Sequence, residues 1–309
     1  MPAQRDLFAL IEMGSNSLKL YLVPPAADAA EIETLKFSWP IGHELYRGGG
    51  LSPASADQVL DCVIQAGRVT VERGAAGVLA IATGVFRELP DLDALAARIE
   101  AETGIRPRVI SGQDEAALMA RGFRELAIAA PAVMVDLGGA SLEWAWMPQA
   151  GTVRSGSLPL GAIRNKYRFA DREGDPAGYL EASRAHCDQA LATLPITGRA
   201  RVVATGGTAE AMAACVGREQ VTAAELDALI ERVQRDGAPA ELKPARRPVL
   251  LPGLIILSRV IARCGADRIA YGTSAVRQGM VRRLIQLLER FPPGQLRATQ
   301  LLRQTQIKP

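Results

Sequence analysis

The chain has 309 residues, of which 48% are hydrophobic and 22% charged, a composition that is normal for a globular protein with two domains of ordinary size. The formal net charge of +3 is too small to argue for nucleic-acid binding. Because there are only two histidines, His43 and His186, a histidine-rich metal site is excluded and histidine-based catalysis is disfavoured.

Four cysteines are scattered through the chain without the spacing of metal ligands, so we expect buried thiols in a reducing compartment. The polar residues 1–6 lead directly into an apolar strand and do not resemble a signal peptide, and no apolar run is long enough to span a membrane. The sequence therefore predicts a cytoplasmic protein with neither a membrane nor a nucleic-acid partner.

The apolar pattern predicts the same order of elements twice. In the first half it predicts strands at about 7–14, 18–24, 31–38, 77–83 and 107–110, and helices at about 53–73, 91–103 and 114–128. In the second half it predicts strands at about 132–136, 141–147, 152–157, 201–205 and 268–271, and helices at about 175–193, 208–216, 222–236, 252–265 and 275–290. This repetition indicates a duplicated α/β domain with a mixed sheet. We place the domains at residues 1–125 and 126–309 and expect a ligand cleft between them.

Near the start of each domain, a buried strand leads into a carboxylate and a tight turn of glycines and hydroxyls. In the first domain Glu12 precedes the turn residues Gly14, Ser15, Asn16 and Ser17. In the second, Asp136 precedes and Glu143 follows the turn residues Gly138, Gly139, Ala140 and Ser141. Such a turn points backbone N–H groups at a phosphate, and a carboxylate at its mouth suits Mg²⁺.

A third turn, Gly206-Gly207-Thr208, follows another predicted strand and opens a helix, where backbone N–H groups attract an anion. One pair of glycines is more often only a tight turn, but three such turns after three strands favour phosphate binding. In the first half, Arg87 follows a strand and suits either bidentate phosphate contact or a surface ion pair. Glu115 lies in the first turn of a helix, where capping and the helix dipole explain Asp114 well and Glu115 less specifically.

Basic residues form three local clusters, which are Arg164 with Lys166 and Arg168, Arg246 with Arg247, and Arg282 with Arg283. Each cluster by itself is more typical of a solvated helix face. Together with the phosphate turns, they also allow a path for a longer polyanion.

The motifs resemble those of the exopolyphosphatase/guanosine pentaphosphate phosphatase (Ppx/GppA) family, which lies within the actin, sugar kinase and heat-shock ATPase superfamily. The resemblance covers about residues 7–285 and rests on segments in family order. They are Glu12-Met-Gly-Ser-Asn-Ser17, Ala82-Thr-Gly-Val-Phe-Arg87, Ile110-Ser-Gly-Gln-Asp-Glu-Ala116, Asp136-Leu-Gly-Gly-Ala-Ser-Leu-Glu143, Ser157-Leu-Pro-Leu-Gly-Ala-Ile-Arg164, Ala204-Thr-Gly-Gly-Thr208, Leu251-Pro-Gly253 and Ser274-Ala-Val-Arg-Gln-Gly279. The resemblance implies two actin-like (ribonuclease H-like) domains and the short type of family member, without a C-terminal HD-type domain.

The resemblance also implies roles for individual residues. Glu115 falls on the catalytic glutamate, and Glu143 is linked both to catalysis and to the metal. Asp136 and Glu12 fall on metal-linked positions. Phosphate contacts fall on Gly14, Ser15, Asn16, Ser17, Arg87, Gly138, Gly139, Ser141, Gly206, Gly207 and Thr208. Two departures stand out, because the family usually has Asp at position 12 and a third glycine at position 140.

The leading hypothesis is an exopolyphosphatase that uses Mg²⁺ or Mn²⁺ and removes terminal phosphate from inorganic polyphosphate, with Glu115 activating water. Guanosine pentaphosphate is the alternative substrate. A binding regulator that has lost turnover is a rival, kept open by Glu12 and Ala140. A phosphotransferase is another, although no segment clearly builds an adenosine pocket. A homodimer is one assembly that the family resemblance allows.

Overall fold

The computed structural model describes residues 7–24, 32–125, 128–172, 174–272 and 281. Contacts group these residues into two units, of which the first holds the described residues up to Ser111 with Val281 and the second those from Gly112 onward. The predicted helix at about 275–290, the segment 274–279 and the arginines at 282 and 283 lie outside the described residues.

The first unit is built on one mixed sheet. Its strands are β1 (Leu7–Met13), β2 (Ser17–Val23), β3 (Glu33–Ser38), β4 (Ala75–Ala82) and β5 (Arg108–Val109). The strand order is β3-β2-β1-β4-β5, in which β1 pairs antiparallel with β2 and parallel with β4. Its helices are α1 (Ile41–Gly48), α2 (Pro53–Glu72) and α3 (Leu92–Thr103), and a short 3₁₀ helix spans Gly84–Glu88.

Local sequence explains these elements. The run from Phe8 to Ile11 is apolar without interruption and buried along its whole length, as expected for a central strand covered on both faces. Helix α2 begins after Ser52, whose hydroxyl accepts a hydrogen bond from the Ser55 backbone N at 3.2 Å, and Pro53 fills its first position.

The second unit holds a larger mixed sheet. Its strands are β6 (Ala132–Leu137), β7 (Leu142–Met147), β8 (Arg154–Leu158), β9 (Arg201–Thr205), β10 (Gln220–Thr222) and β11 (Arg268–Tyr271). The strand order is β10-β11-β9-β6-β7-β8. Its helices are α4 (Gly112–Glu125), α5 (Ala162–Arg168), α6 (Pro176–Leu191), α7 (Gly207–Val216), α8 (Ala223–Asp236) and α9 (Leu250–Arg263).

Helix α9 runs through the core of the second unit. Its residues Leu254 to Leu257 are fully buried, and it packs against α5, α6, α7 and α8. Its first half, from Leu250 to Leu257, is apolar on every side, which is typical of a buried position. Among the described residues, no helix is both long and apolar enough to cross a membrane.

The two sheets confirm the predicted duplicated α/β fold. Strands β1, β2, β3 and β4 occupy the same places in the first sheet as β6, β7, β8 and β9 in the second, with the same pairing directions. Apart from short 3₁₀ turns, three short elements were not predicted. They are the helices at 41–48 and 162–168 and strand β10, an edge strand of three residues that pairs antiparallel with β11.

Helix α4 belongs with the second unit. It packs against β7 and β8, so contacts place the division before Gly112, whereas the sequence analysis drew the domain boundary after residue 125. Every side-chain contact that α4 makes with these strands is therefore internal to one unit.

Close packing of α9 on α7 depends on Gly253. A Cβ at this position would lie 2.5 Å from the Oγ1 of Thr208 and 2.6 Å from its methyl carbon. We expect Gly253→Ala to lower the free energy of unfolding by about 1–3 kcal/mol through overpacking, measured by urea denaturation. Thr208→Ala in the same chain should recover part of this loss.

The matched control for this prediction is Gly48→Ala, because a Cβ at Gly48 would meet no atom within 4 Å. Equal urea midpoints for Gly253→Ala and Gly48→Ala would contradict the proposed overpacking.

Candidate active site in the second unit

The turn that joins β6 to β7 is held by the start of α5. The backbone N of Gly138 donates to the carbonyl oxygen of Ser141 at 3.0 Å. The carbonyl oxygen of Gly139 accepts hydrogen bonds from the backbone N of Ile163 at 2.9 Å and of Arg164 at 3.0 Å. The Arg164 side chain adds a third bond, from Nε to the carbonyl oxygen of Ala140 at 2.8 Å. The shape of this turn is therefore fixed by the protein before any ligand arrives.

Ala140, which replaces the third glycine of the motif, is accommodated inside the protein. It is only 1% exposed, so its methyl group faces neighbouring atoms rather than solvent. The close neighbour is Gly161, where a Cβ would overlap the backbone of Gly139 and Ala140. The glycine at position 161 thus allows the start of α5 to approach the backbone of this turn.

Two acidic residues lie side by side at this turn. Asp136 on β6 is the cross-strand partner of Glu143 on β7, and Glu143 is in turn the partner of Ser157 on β8. Directly opposed residues of antiparallel strands point to the same face of a sheet. The Ser157 Oγ donates to Oε1 of Glu143 at 2.8 Å, which orients that carboxyl group.

Glu115 joins this acidic pair from helix α4. It is 7% exposed, whereas an acid that only complements a helix dipole normally stays in water. Glu143 is 2% exposed. Burial first, then the nearby Glu115 and Asp136 carboxylates, raise the pKa of Glu143 well above its usual value, while hydrogen bonds from Ser157 and Ser141 oppose the shift. Acids whose pKa is strongly shifted by burial and by neighbouring charges are typical of functional sites.

The third predicted turn lies beside Asp136. Gly206 adopts φ +92°, and a Cβ there would lie 2.9 Å from Oδ1 of Asp136 and would overlap the carbonyl oxygen of Leu137. Only glycine fits this position. Gly207 begins the ten-residue helix α7, and the Thr208 side chain is buried against Gly253.

Arg246 lies directly on this turn. A Cβ at Gly207 would overlap its guanidinium group, so the cation occupies the space that a side chain at position 207 would take. In the part of the chain that the structure describes, this guanidinium has no hydrogen-bond or ion-pair partner. Burial lowers the pKa of Arg246 from its usual value, and Glu210 opposes this, but arginine stays charged at neutral pH. A desolvated cation beside backbone N–H groups at a helix start is suited to an anion.

The neighbouring basic residues have structural roles. The Arg247 Nε donates to the carbonyl oxygen of Leu242 at 2.9 Å, and its Nη2 donates to that of Ala240. Lys166 lies 5.6 Å from the ring centre of Tyr167, and Arg168 is exposed. Among the described residues of these clusters, two guanidinium groups lie against predicted phosphate turns. That of Arg164 bonds to the Ala140 carbonyl oxygen, whereas that of Arg246 lies over Gly207.

The first unit holds the other predicted turn. The backbone N of Gly14 donates to the carbonyl oxygen of Ser17 at 3.0 Å, as Gly138 does to Ser141 in the second unit. The Ser15 Oγ accepts a hydrogen bond from the backbone N of Val85 at 3.3 Å, which ties the turn to the 3₁₀ helix that carries Arg87. Asn16 is partly exposed, and its carbonyl oxygen accepts from the Trp39 backbone N at 3.3 Å.

Arg87 and Glu12 are both held by protein groups of the first unit. The Nη1 of Arg87 donates to the carbonyl oxygen of Ile110 at 3.3 Å. Both carboxylate oxygens of Glu12 accept hydrogen bonds from Lys19, at 3.0 and 3.2 Å, and one of them also accepts from the Tyr21 hydroxyl at 2.6 Å. The partners Lys19 and Tyr21 were not anticipated from the sequence.

The carboxylates of the second unit are too few to enclose a divalent cation without further ligands. Among the described residues, no group of three or more Asp, Glu, His or Cys side chains is arranged to hold a metal ion. The cross-strand partners Asp136 and Glu143 nevertheless supply two carboxylates on one face. Mg²⁺ is usually bound by one or two carboxylates together with water and substrate phosphates. The pair therefore fits Mg²⁺ or Mn²⁺ that arrives with a phosphate ligand.

Residues 31–288 match the model of the Ppx/GppA phosphatase family. The chain belongs to this family. An uncharacterised protein of Streptomyces coelicolor is 27% identical to the Ppx/GppA chain over 172 residues, which is 55% of this chain and 51% of the relative. The chain thus spans about half the length of this curated relative.

Solved structures share the fold of this Ppx/GppA protein. An exopolyphosphatase-like protein is 20% identical with a TM-score of 0.77, over 91% of this chain and 99% of that one. An exopolyphosphatase from Cytophaga hutchinsonii is 18% identical with a TM-score of 0.75, over 91% and 98%. A Ppx/GppA family member from Aquifex aeolicus is 19% identical with a TM-score of 0.72, over 93% and 99%. At these identities the likeness concerns the fold, and it confirms the predicted architecture.

The raised pKa of Glu143 makes stability depend on pH in this Ppx/GppA protein. Above the ordinary glutamate pKa of about 4.3, the unfolded chain has lost the proton that folded Glu143 still holds, so the free energy of unfolding falls as pH rises. The slope is up to about 1.4 kcal/mol per pH unit until the folded pKa is reached. We expect Glu143→Gln to remove this loss, so that its stability relative to the native chain increases with pH.

The measurement is urea denaturation of both chains in EDTA at several values between about pH 5 and pH 8. Glu231→Gln, which removes an exposed carboxylate from α8, controls for the loss of one charge. A stability difference between Glu143→Gln and the native chain that stays constant over this range would contradict the protonation of buried Glu143.

Proposed function

We propose that this Ppx/GppA family member hydrolyses phosphoanhydride bonds and releases terminal phosphate from inorganic polyphosphate. The observation that carries the proposal is the buried Glu115 beside buried Glu143 in the second unit, next to two phosphate-type turns. A pair of buried acids, one of which raises the pKa of the other, is a usual means of general acid–base catalysis near neutral pH. The exopolyphosphatase from Cytophaga hutchinsonii, which shares the fold, supports this choice of substrate.

In this proposal Glu115 is the general base. It orients a water molecule and accepts its proton while the water oxygen attacks the terminal phosphorus. The anhydride P–O bond on the opposite side breaks, which releases orthophosphate and a chain shorter by one phosphate. In the metal-free protein, the raised pKa of Glu143 favours its protonated form, so that neighbouring buried acids do not all carry charge.

Asp136 and Glu143 would hold Mg²⁺ or Mn²⁺ together with the substrate. When bound, the cation supplies positive charge to the phosphate oxygens of the breaking bond. Metal ligands must be ionised, so binding at this pair would release the proton of Glu143. Ser157 and Ser141 hydrogen-bond the ionised form and would keep Glu143 oriented afterwards.

The anionic oxygens of the transferred phosphoryl group need stabilisation, which we assign first to the N-terminus of α7 and to Arg246. The Gly138-Gly139 turn adds backbone donors in the second unit. In the first unit we assign phosphate contacts to the turn from Gly14 to Ser17 and to Arg87. For Thr208, whose side chain is buried against Gly253, the contact would involve its backbone N–H.

A substrate panel tests this function against its rivals. We expect phosphate release from long-chain polyphosphate with Mg²⁺ to exceed release from guanosine pentaphosphate and from ATP. Preference for guanosine pentaphosphate would assign the second activity of the family instead. Tight polyphosphate binding without release would indicate a regulator, and phosphate transfer from ATP to an added acceptor would indicate a phosphotransferase.

The general-base role predicts the effect of Glu115→Gln, which keeps the shape of the side chain and removes its basicity. Turnover should fall by about 10²–10⁴, while polyphosphate binding, measured separately by isothermal titration calorimetry, changes little. Asp114→Asn removes a charge from the neighbouring residue of the same helical turn and should retain most of the turnover. Near-native turnover of Glu115→Gln would remove Glu115 from this role.

The two adjacent arginines provide a matched pair. Arg246→Gln should raise the KM for polyphosphate at least about tenfold, because a hydrogen bond to a charged group contributes about 1.5–3 kcal/mol. Arg247→Gln removes the same charge from a side chain that bonds to loop carbonyl oxygens, and its KM should stay within about threefold of the native value. Steady-state kinetics at fixed ionic strength give the comparison, and equal KM values for both variants would refute the assignment of Arg246.

A further inference from the structure

In each unit an acidic residue precedes the glycine turn, and the residue opposite it on the next strand differs between the two units. Asp136 on β6 is opposed by Glu143 on β7. At the equivalent place in the first sheet, Glu12 on β1 is opposed by Lys19 on β2. The second unit thus pairs two acids, whereas the first unit pairs an acid with a cation.

The contacts at Glu12 are direct and use both carboxylate oxygens. The Lys19 Nζ lies 3.0 Å from Oε1 and 3.2 Å from Oε2, and the Tyr21 hydroxyl donates to Oε2 at 2.6 Å. The side chain of Glu12 is 12% exposed, that of Lys19 is 32% exposed and Tyr21 is 1% exposed as a residue. The ion pair is therefore partly shielded from solvent, which strengthens it relative to a surface pair.

Strand geometry explains how these three residues meet. Lys19 and Tyr21 are two residues apart on β2 and so point to the same face. Glu12 lies opposite Lys19 and diagonal to Tyr21, and diagonal neighbours are within reach of long and aromatic side chains. The glutamate at position 12 has one methylene more than the usual aspartate, which extends its reach toward both partners.

We propose that Lys19 is the resident counter-cation of Glu12, so that Glu12 is a positioning residue of the first turn and not a metal ligand. A divalent cation bound to the same carboxylate would lie next to the Lys19 ammonium group, and like charges at that distance oppose each other. Of the three acids that the family resemblance links to the metal, Asp136 and Glu143 then remain as its ligands. The inference rests on the proposed metal-dependent hydrolysis and limits which residues serve it.

Direct metal binding provides the test, with Mn²⁺ as the probe and electron paramagnetic resonance of free Mn²⁺ as the readout. We expect Glu12→Gln to bind Mn²⁺ with a Kd within about twofold of the native chain, and Asp136→Asn to bind at least about tenfold more weakly. A loss of affinity in Glu12→Gln as large as that in Asp136→Asn would overturn the inference while leaving metal-dependent hydrolysis intact. An unchanged Mn²⁺ affinity in Asp136→Asn would show that Asp136 is not a metal ligand, whereas the inference about Glu12 would stand.

Removing the counter-cation gives a second, independent readout. Lys19→Met leaves the Glu12 carboxylate without its ammonium partner, so Mn²⁺ should raise the melting temperature of this variant more than that of the native chain. The double variant Glu12→Gln/Lys19→Met should lose the additional shift. Lys36→Met, on the neighbouring strand opposite Lys19, is the control for loss of a lysine. Equal Mn²⁺-induced shifts in Lys19→Met and in the native chain would count against Lys19 as the group that keeps metal from Glu12.

Discussion

The electrostatic interaction of two buried acids, Glu115 and Glu143, is the constraint on which the second unit depends. Two carboxylates cannot both be charged at low cost when burial removes them from water, so one of them retains a proton or a cation must join them. The surrounding structure holds them in place all the same. Helix α4 packs on β7 and β8, and Ser157 fixes the Glu143 carboxyl group through a hydrogen bond. Burying neighbouring carboxylates costs free energy, and such arrangements are found mainly where their acid–base chemistry serves function.

Close backbone approach makes the rest of the site possible. Gly161 lets the start of α5 reach the carbonyl oxygens of the β6–β7 turn, and Gly206 lets the third turn lie against Asp136. Gly207 leaves room for the guanidinium of Arg246. At each of these places a Cβ would overlap backbone or a charged group. The glycines therefore bring two turns, the start of α5, an acid and a cation into one region of the second unit.

Much of the fold could be predicted because its strands are strongly apolar and its elements repeat. Two apolar runs, Phe8 to Ile11 and 132–135, each predict a buried central strand followed by a turn. Helices α1 and α5 and strand β10 were missed, since segments this short carry little periodicity. The position of the division before Gly112 also eluded prediction, because only packing of α4 on β7 and β8 reveals it.

The candidate site was harder to predict than the fold. The sequence places Glu12 and Asp136 in equivalent motifs, and only the register of the sheets shows that one faces a lysine and the other a glutamate. In the same way, the sequence gives no reason to assign different roles to the adjacent Arg246 and Arg247. In the structure, Arg246 lies on the Gly207 turn and Arg247 bonds to loop carbonyl oxygens. The approach of Arg246 to Gly207 is decided by tertiary packing, and no local pattern encodes it. Lys19 lies only seven residues from Glu12, so here the register of one hairpin decides the partner.

The central claim is that the acids of the second unit direct water at the terminal phosphorus of a polyphosphate chain. Hydrolysis in ¹⁸O-enriched water with Mg²⁺, followed by mass spectrometry of the released phosphate, tests it most directly. The account predicts one solvent-derived oxygen in each released phosphate and none in the shortened chain. Released phosphate without solvent oxygen, or label at the end of the remaining chain, would contradict it.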